Sequence, residues 1–133
     1  MSQENVEIAR KGYDALNQGG VEAVLPYIDR AIEIEVSPDT SPEPQTLRGH
    51  EGLRRWFAMA AEVLDEIRFE PVEFMDAGDQ VVVPGRMIGR GRTSGIRAEQ
   101  SVTQVWTLRD GLAVRMNTYL DKQSALEAAG LSE

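Results

Sequence analysis

The sequence predicts an α+β fold, with helices gathered early in the chain, a succession of strands behind them and one short closing helix. Three observations predict it. Apolar residues recur at helical spacing over residues 3 to 17 and 51 to 65, but alternate with polar ones from about residue 67 onward. Asp76-Ala77-Gly78-Asp79, Thr93-Ser94-Gly95 and Arg109-Asp110-Gly111 are tight-turn signals that cut this second region into hairpin-connected strands. Leu53, Trp56, Phe57, Ala60, Ala61 and Leu64 form the widest apolar stripe in the chain, which must be covered by a core. Helices before antiparallel strands place the helices on one face of a curved antiparallel sheet.

Each element follows in order. Val6, Ala9, Tyr13 and Leu16 make residues 3 to 17 an amphipathic helix, ended by Asn17-Gln18-Gly19-Gly20. A shorter helix begins near Val21 and breaks or restarts at Pro26, which lacks an amide hydrogen and disfavours helix in Leu25. Ile32, Ile34 and Val36 alternate with Glu33 and Glu35 as a half-buried strand over 31 to 36. Residues 37 to 48 carry Pro38, Pro42 and Pro44 and read as a loop. After the helix over 51 to 65, strands are expected near 67 to 76, 79 to 92, Arg97 to Leu108 and Leu112 to Leu120. Asp121 is placed to cap a last helix from Lys122 to Ala129. Gly130 suits the left-handed position behind it, and Leu131 the accompanying hydrophobic contact.

The strand from Arg97 to Leu108 carries the most information. Ala98, Gln100, Val102, Gln104, Trp106 and Leu108 share one face, which is apolar apart from two amides. A buried amide without a partner costs on the order of 1 to 3 kcal/mol, so Gln100 and Gln104 must either be tied down or line a pocket. Val114, Met116, Thr118 and Leu120 are expected on the same face from the last strand, and Met87 from the strand before. The opposite face holds Arg86, Arg90, Arg92, Arg97 and Arg115. Val82, Pro84 and Ile88 are expected there as apolar contacts for a homodimer through the convex sheet.

Composition narrows the chemistry. The 133 residues make a single domain, 1 to 133, and the net charge of −8 repels phosphate backbones, so nucleic acid is not an expected partner. No stretch reaches the ~20 apolar residues of a membrane span and the first residues lack a signal-peptide pattern, so the expectation is a cytoplasmic protein without a membrane partner. There is no cysteine, and His50 is the single histidine, which removes thiolate nucleophiles, cysteine or histidine-rich metal sites and a Ser-His-Asp triad. Neither a metal nor a cofactor is expected.

The element order, with Tyr13-Asp14-Ala15-Leu16-Asn17-Gln18-Gly19, Arg48-Gly49-His50-Glu51-Gly52-Leu53, Val105-Trp106-Thr107-Leu108-Arg109-Asp110-Gly111 and Tyr119-Leu120-Asp121, resembles the SnoaL-like (polyketide-cyclase-like) branch of the nuclear-transport-factor-2-like superfamily. The resemblance implies a cone: a bent antiparallel sheet whose concave face is closed by N-terminal helices around a deep apolar pocket. It also implies relatives that range from ketosteroid isomerases, epoxide hydrolases and polyketide cyclases to binding domains without catalysis. Isomerases of the family hold a dienolate with a first-helix tyrosine and a protonated aspartate. Matching the Leu16-Asn17 segments puts the tyrosine on Gly12, with Tyr13 one residue out of register, the aspartate on Gln104 and the base near Glu35. The epoxide-hydrolase positions fall on Gly85, Met87 and Thr118, which lack that chemistry.

Two readings follow. In the first, an apolar pocket built from Tyr13, Trp56, Met87, Gln100, Gln104, Trp106, Met116 and Thr118 binds a small hydrophobic, carbonyl-containing ligand without transforming it. In the alternative, a cofactor-free cyclase, isomerase or dehydratase uses Gln104 as oxyanion donor and a carboxylate, with Glu35 the candidate, to move the proton. The second reading requires one of Asp14, Glu33, Glu35 or Asp121 inside the cavity.

Overall fold

The computed structural model describes residues 2 to 36, 43 and 45 to 131. Its first helix, α1 (Ser2–Val24), buries Val6 and Tyr13 on one face, as the periodicity requires. Gly20 interrupts α1 with φ 78 and ψ −166, so the two predicted helices are one element with a kink. Glycine reaches that left-handed φ without steric cost. Pro26 then sits in a single 3-10 turn, Leu25–Tyr27, where its missing amide hydrogen leaves no helical bond unmade.

The strands are β1 (Ile28–Val36), β2 (Gln45–Arg48), β3 (Leu64–Pro71), β4 (Met75–Ala77), β5 (Gln80–Gly91), β6 (Arg97–Arg109) and β7 (Leu112–Tyr119). The helix α2 (Gly49–Ala61) separates β2 from β3, and α3 (Lys122–Ala128) closes the chain. Strand β2 corrects the loop expected over 37 to 48. Its four residues pair antiparallel with β1, while the rest of that loop, 37 to 42 and 44, lies outside the described residues. The sheet order is β2-β1-β7-β6-β5-β3, with β4 on β5.

The sheet is mixed rather than wholly antiparallel, because β1 lies parallel to β7. A parallel pair needs a long crossover, and everything from β2 to β6 supplies it. Register shifts in β1 between Ile28 and Glu33, in β3 between Asp65 and Arg68, and in β6 at Thr107 to Leu108 mark irregular pairing of the kind that bends a sheet. The last of these changes which β7 residues face inward. Ala113 and Met116 are buried with the inner core, Val114 is only half-buried, and Leu120 is 44% exposed beyond the end of the strand.

Helices α1 and α2 lie on the concave face, and two clusters there form one continuous core. Val6, Tyr13, Phe69, Val81, Val83, Val102 and Leu108 pack at one end; Val24, Ile28, Ile32, Ile34, Leu53, Ala113 and Met116 pack at the other, and Leu16 and Trp106 touch both. A separate core sits on the convex face, where α3 presses Ala125 and Leu126 onto Val82 and Val105. Asp121 caps α3 by accepting hydrogen bonds from the Gln123 and Ser124 amides, and Gly130 at φ 77 lets the Leu131 amide return to the Leu126 carbonyl at 2.8 Å. Of the expected dimer contacts, Val82 is covered by α3, and Pro84 and Ile88 are also buried within the chain itself. Among the described residues no helix is long and apolar enough to cross a membrane.

Candidate functional site

Between α1, α2 and the concave sheet lies a cavity of about 170 Å³. One wall is the α1 stripe, with Ile8, Gly12, Tyr13, Leu16, Val21 and Val24; the opposite walls are Leu53, Trp56 and Phe57 of α2 and Phe69, Met87, Gln104, Trp106 and Met116 of the sheet. Two local features hold the wall formed by α1 and β3. Asn17 clamps the Phe69 backbone with its amide, donating to the carbonyl at 2.8 Å and accepting from the N–H at 3.2 Å. Gly85 leaves room for the Phe69 ring, since a Cβ there would come within 2.6 Å of that ring and of the Glu70 carbonyl. Tyr13 then stacks on Phe69, with ring centroids 4.9 Å apart, and meets Trp106 edge-on at 6.1 Å.

Polar atoms at the cavity form one directed chain. The Trp106 indole N–H donates to the Tyr13 hydroxyl oxygen at 2.6 Å. Tyr13 in turn donates to Gln104 Oε1 at 2.6 Å, and Gln104 Nε2 donates to Thr118 Oγ1 at 3.4 Å. The Thr118 hydroxyl finishes on the Met116 sulfur at 3.2 Å. An indole can only donate, so Trp106 fixes the direction of the first bond, while the orientation of the Gln104 amide sets the direction of the bonds on either side of it. Burial pushes the Tyr13 hydroxyl far above its ordinary pKa, with the Trp106 hydrogen bond acting weakly the other way. Tyr13 is therefore a neutral phenol throughout the physiological range.

Most of the expected ligand-binding residues meet at the cavity, but two do not. Tyr13, Trp56, Met87, Gln104, Trp106 and Met116 line it. Gln100 is exposed near the start of β6, beyond the helical cover, and its amide reaches only its neighbour's carbonyl at 3.4 Å. Thr118 is buried but stands behind Gln104, in contact with the site through the chain just described. The resemblance puts the isomerase tyrosine position on Gly12, one residue before Tyr13. Gly12 and Tyr13 both reach the cavity, and it is the Tyr13 hydroxyl that touches Gln104.

Glu35 is turned away from the cavity. Its carboxylate accepts from Thr46 Oγ1 at 3.0 Å and from Arg115 at 3.3 Å, because Ile32, Ile34 and Val36 take the buried side of β1. Glu33 pairs with Arg48, Asp14 is exposed on α1, and Asp121 is occupied as a cap. His50 ties the start of α2 to the Ile28 carbonyl at 2.9 Å. Among the described residues no carboxylate lines the cavity, and no group of three or more His, Cys, Asp or Glu is placed to hold a metal. Leu16, Val24, Phe57 and Phe69 also line it, although none was expected as a site residue and Leu16 and Phe57 were read as parts of core-facing stripes. Their signal was an apolar stripe that a filled core would share.

The model of the SnoaL-like domain matches residues 9 to 116. The chain belongs to the SnoaL-like family. It has the nuclear-transport-factor-2-like fold of that family, and no curated protein matches it. Among solved structures, this SnoaL-like chain is similar to TerC, crystallised with polyporic acid, at 28% identity over 96% of this chain and 98% of that one, with a TM-score of 0.77. It is similar to an NTF2-like protein of unknown function from Burkholderia pseudomallei at 22% identity, over 93% and 95% of the two chains and also with a TM-score of 0.77. A protein with a ketosteroid isomerase-like fold from Catenulispora acidiphila, solved with trimethylamine, is 17% identical over 94% and 93%, with a TM-score of 0.72. At these lower identities the SnoaL-like chain shares the fold with its neighbours, and its own side chains must supply the chemistry.

Proposed function

We propose that the protein binds a small, neutral, largely hydrophobic ligand carrying a carbonyl group, and holds it without making or breaking a bond. The carrying observation is a hollow on the concave face whose walls are largely apolar, in which Tyr13, Gln104 and Trp106 are uncharged and joined in one hydrogen-bonded chain, and whose charged lining residue, Arg68, has a largely exposed side chain paired with Glu70 at 3.4 Å. Dry apolar cavities of ~150 Å³ are known to hold benzene-sized ligands, so the volume here suits one substituted ring. TerC, 28% identical over nearly its whole length, has been co-crystallised with polyporic acid, which supports a ligand-binding role for this fold. The alternative of a cofactor-free cyclase, isomerase or dehydratase needs a proton carrier, and Asp14, Glu33, Glu35 and Asp121 all face elsewhere.

Calorimetric titration and thermal shift with acetophenone, indanone and ethylbenzene test the reading. The expected result is saturable binding, a raised Tm and a change in tryptophan emission, since Trp56 and Trp106 both line the cavity. Absence of all three at millimolar ligand would reject it. Running the acetophenone titration in D₂O adds a catalytic arm, since accelerated exchange of the methyl protons would establish proton transfer and favour the alternative. A homodimer through the convex sheet belongs to the same proposal, and would be held by polar contacts, given that Val82, Pro84 and Ile88 are covered. Light scattering at micromolar concentration tests it, and a monomeric mass would reject it.

A further inference from the structure

The chain from Trp106 to Met116 contains one element that can be turned around. The amide of Gln104 presents oxygen to Tyr13 and nitrogen to Thr118, and the two ends of an amide have nearly the same size, so a half-turn about its last bond needs no extra space. After that half-turn, Nε2 would donate to the Tyr13 oxygen, which already accepts from Trp106. Both lone pairs of the Tyr13 oxygen are then used, and its own proton has nowhere to go within the chain. At the other end, the Thr118 hydroxyl would leave the Met116 sulfur, a weak acceptor, for Gln104 Oε1, a strong one.

The two arrangements differ in one outward-facing group. In the first, Tyr13 spends its proton on Gln104, and the polar cluster is closed upon itself. In the second, a phenolic O–H faces the cavity and must find an acceptor. An empty apolar cavity offers none, so the closed arrangement is favoured without ligand. A ligand carbonyl would satisfy the Tyr13 proton, while at the other end one Thr118-to-Gln104 bond would replace the long Gln104-to-Thr118 bond at 3.4 Å and the weak bond to sulfur, so that the ligand tips the balance toward the turned arrangement.

We propose that Gln104 is an amide switch in which an acceptor ligand draws the Tyr13 hydroxyl outward, and that Thr118 is the positioning residue that makes the turned amide tolerable. The proposal rests on the cavity being a ligand site, and deepens it by naming the class. The ligand is neutral and bears a hydrogen-bond acceptor where it meets Tyr13, and the hydrocarbon of the same shape binds less well. Thr118 touches no ligand in this scheme, since it stands behind Gln104 and acts through it.

The test compares acetophenone with ethylbenzene, which have nearly the same shape and differ in the carbonyl. Wild-type protein is expected to prefer acetophenone by about tenfold, the size of one neutral hydrogen bond. Thr118→Val should bring that ratio to within about twofold of unity while leaving ethylbenzene affinity unchanged, and Thr118→Ser should restore it. Infrared spectra of bound acetophenone labelled at the carbonyl carbon give a second readout. The stretch should move to lower frequency in wild type and in Thr118→Ser, but not in Tyr13→Phe. A Thr118→Val protein that still prefers the ketone tenfold, or a stretch that is the same in Tyr13→Phe as in wild type, overturns the switch. Equal binding of both compounds to wild type also overturns it while leaving the cavity reading intact. Binding of neither rejects the cavity reading and the switch with it.

Discussion

Gln104 and Thr103 are adjacent in β6 and both are at least 95% buried, yet they lie in different surroundings, because alternate residues of a strand face opposite sides of the sheet. Inward, Gln104 meets Tyr13 and Trp106 around a space that no side chain fills. Outward, Thr103 and Val105 lie in a surface that α3 has sealed with Ala125 and Leu126, both almost wholly buried. Charge separates the two faces further. Arg86 bridges Glu70 at 3.2 Å and Glu99 at 3.4 Å, Arg115 reaches Glu35 at 3.3 Å, and Arg92 reaches Asp65 at 3.1 Å, all outside the cavity. One sheet thus supports a packed core on its convex side and, on its concave side, a largely apolar hollow whose charged lining residue, Arg68, is paired with Glu70 at 3.4 Å. The hollow is lined by large side chains of α1 and α2, Tyr13, Leu16, Trp56 and Phe57, whereas α3 meets the convex face through Ala125 and Leu126.

The comparison can be broken most forcefully from the packed side. Leu126→Ala removes a side chain from a core with no slack, and should cost about 2 to 5 kcal/mol in urea denaturation. A cost near that of a surface substitution would show that α3 is merely attached. Next in size is Tyr13→Phe, which leaves the Trp106 N–H and the Gln104 carbonyl unpaired and should cost about 1 to 3 kcal/mol.

The same substitution has a signature in pH. Burial raises the Tyr13 pKa in the folded state, so the unfolded chain ionises first as pH rises. Wild-type stability is full below the ordinary tyrosine pKa of about 10 and falls above it, and Tyr13→Phe should remove that share of the fall. A smaller effect of opposite sign is expected where the hollow leaves space. At Gly12 a Cβ would meet only a Val24 methyl at 3.7 Å, within a helix, so Gly12→Ala should stabilise by about 0.4 to 1 kcal/mol in the same denaturation assay.

The least effect is expected at the rim. Glu22, beyond the Gly20 kink, is held by Arg54 of α2 at 2.7 Å, and that guanidinium keeps its carboxyl below the usual range. The contribution of the pair is present at neutral pH and fades as pH falls through the carboxylate range. Both groups are solvated, so Glu22→Gln should lower Tm slightly at low salt and not at all at 0.5 M, as scanning calorimetry would report. A large, salt-independent drop would mean that this rim carries more of the fold than its exposure implies.

Much of the architecture was legible because local rules and tertiary contacts agreed. The α1 stripe, the turns that separate the strands, the Asp121 cap and the Gly130 exit each rest on chemistry within a few residues, and each was met. What was missed lay between distant segments. Strand β2 forms because β1 offers a free edge, and nothing in Gln45-Thr46-Leu47-Arg48 alone announces it. The parallel pairing of β1 with β7 joins the ends of the chain, and the bulge opposite Thr107 and Leu108 shifts the β7 pattern that simple alternation assigned.

The candidate site divides in the same way. Sequence alone determined that Gln104 and Trp106 share an inward face and that Tyr13 lies on the apolar side of a helix, because those are matters of period. Tertiary structure decided that Tyr13, 91 residues from Gln104, would donate a hydrogen bond to that amide, that Gln100 would be exposed, and that every candidate carboxylate would face outward. Period fixes the side of an element on which a residue lies, whereas only the packing of elements fixes which side chains meet and how much space is left between them.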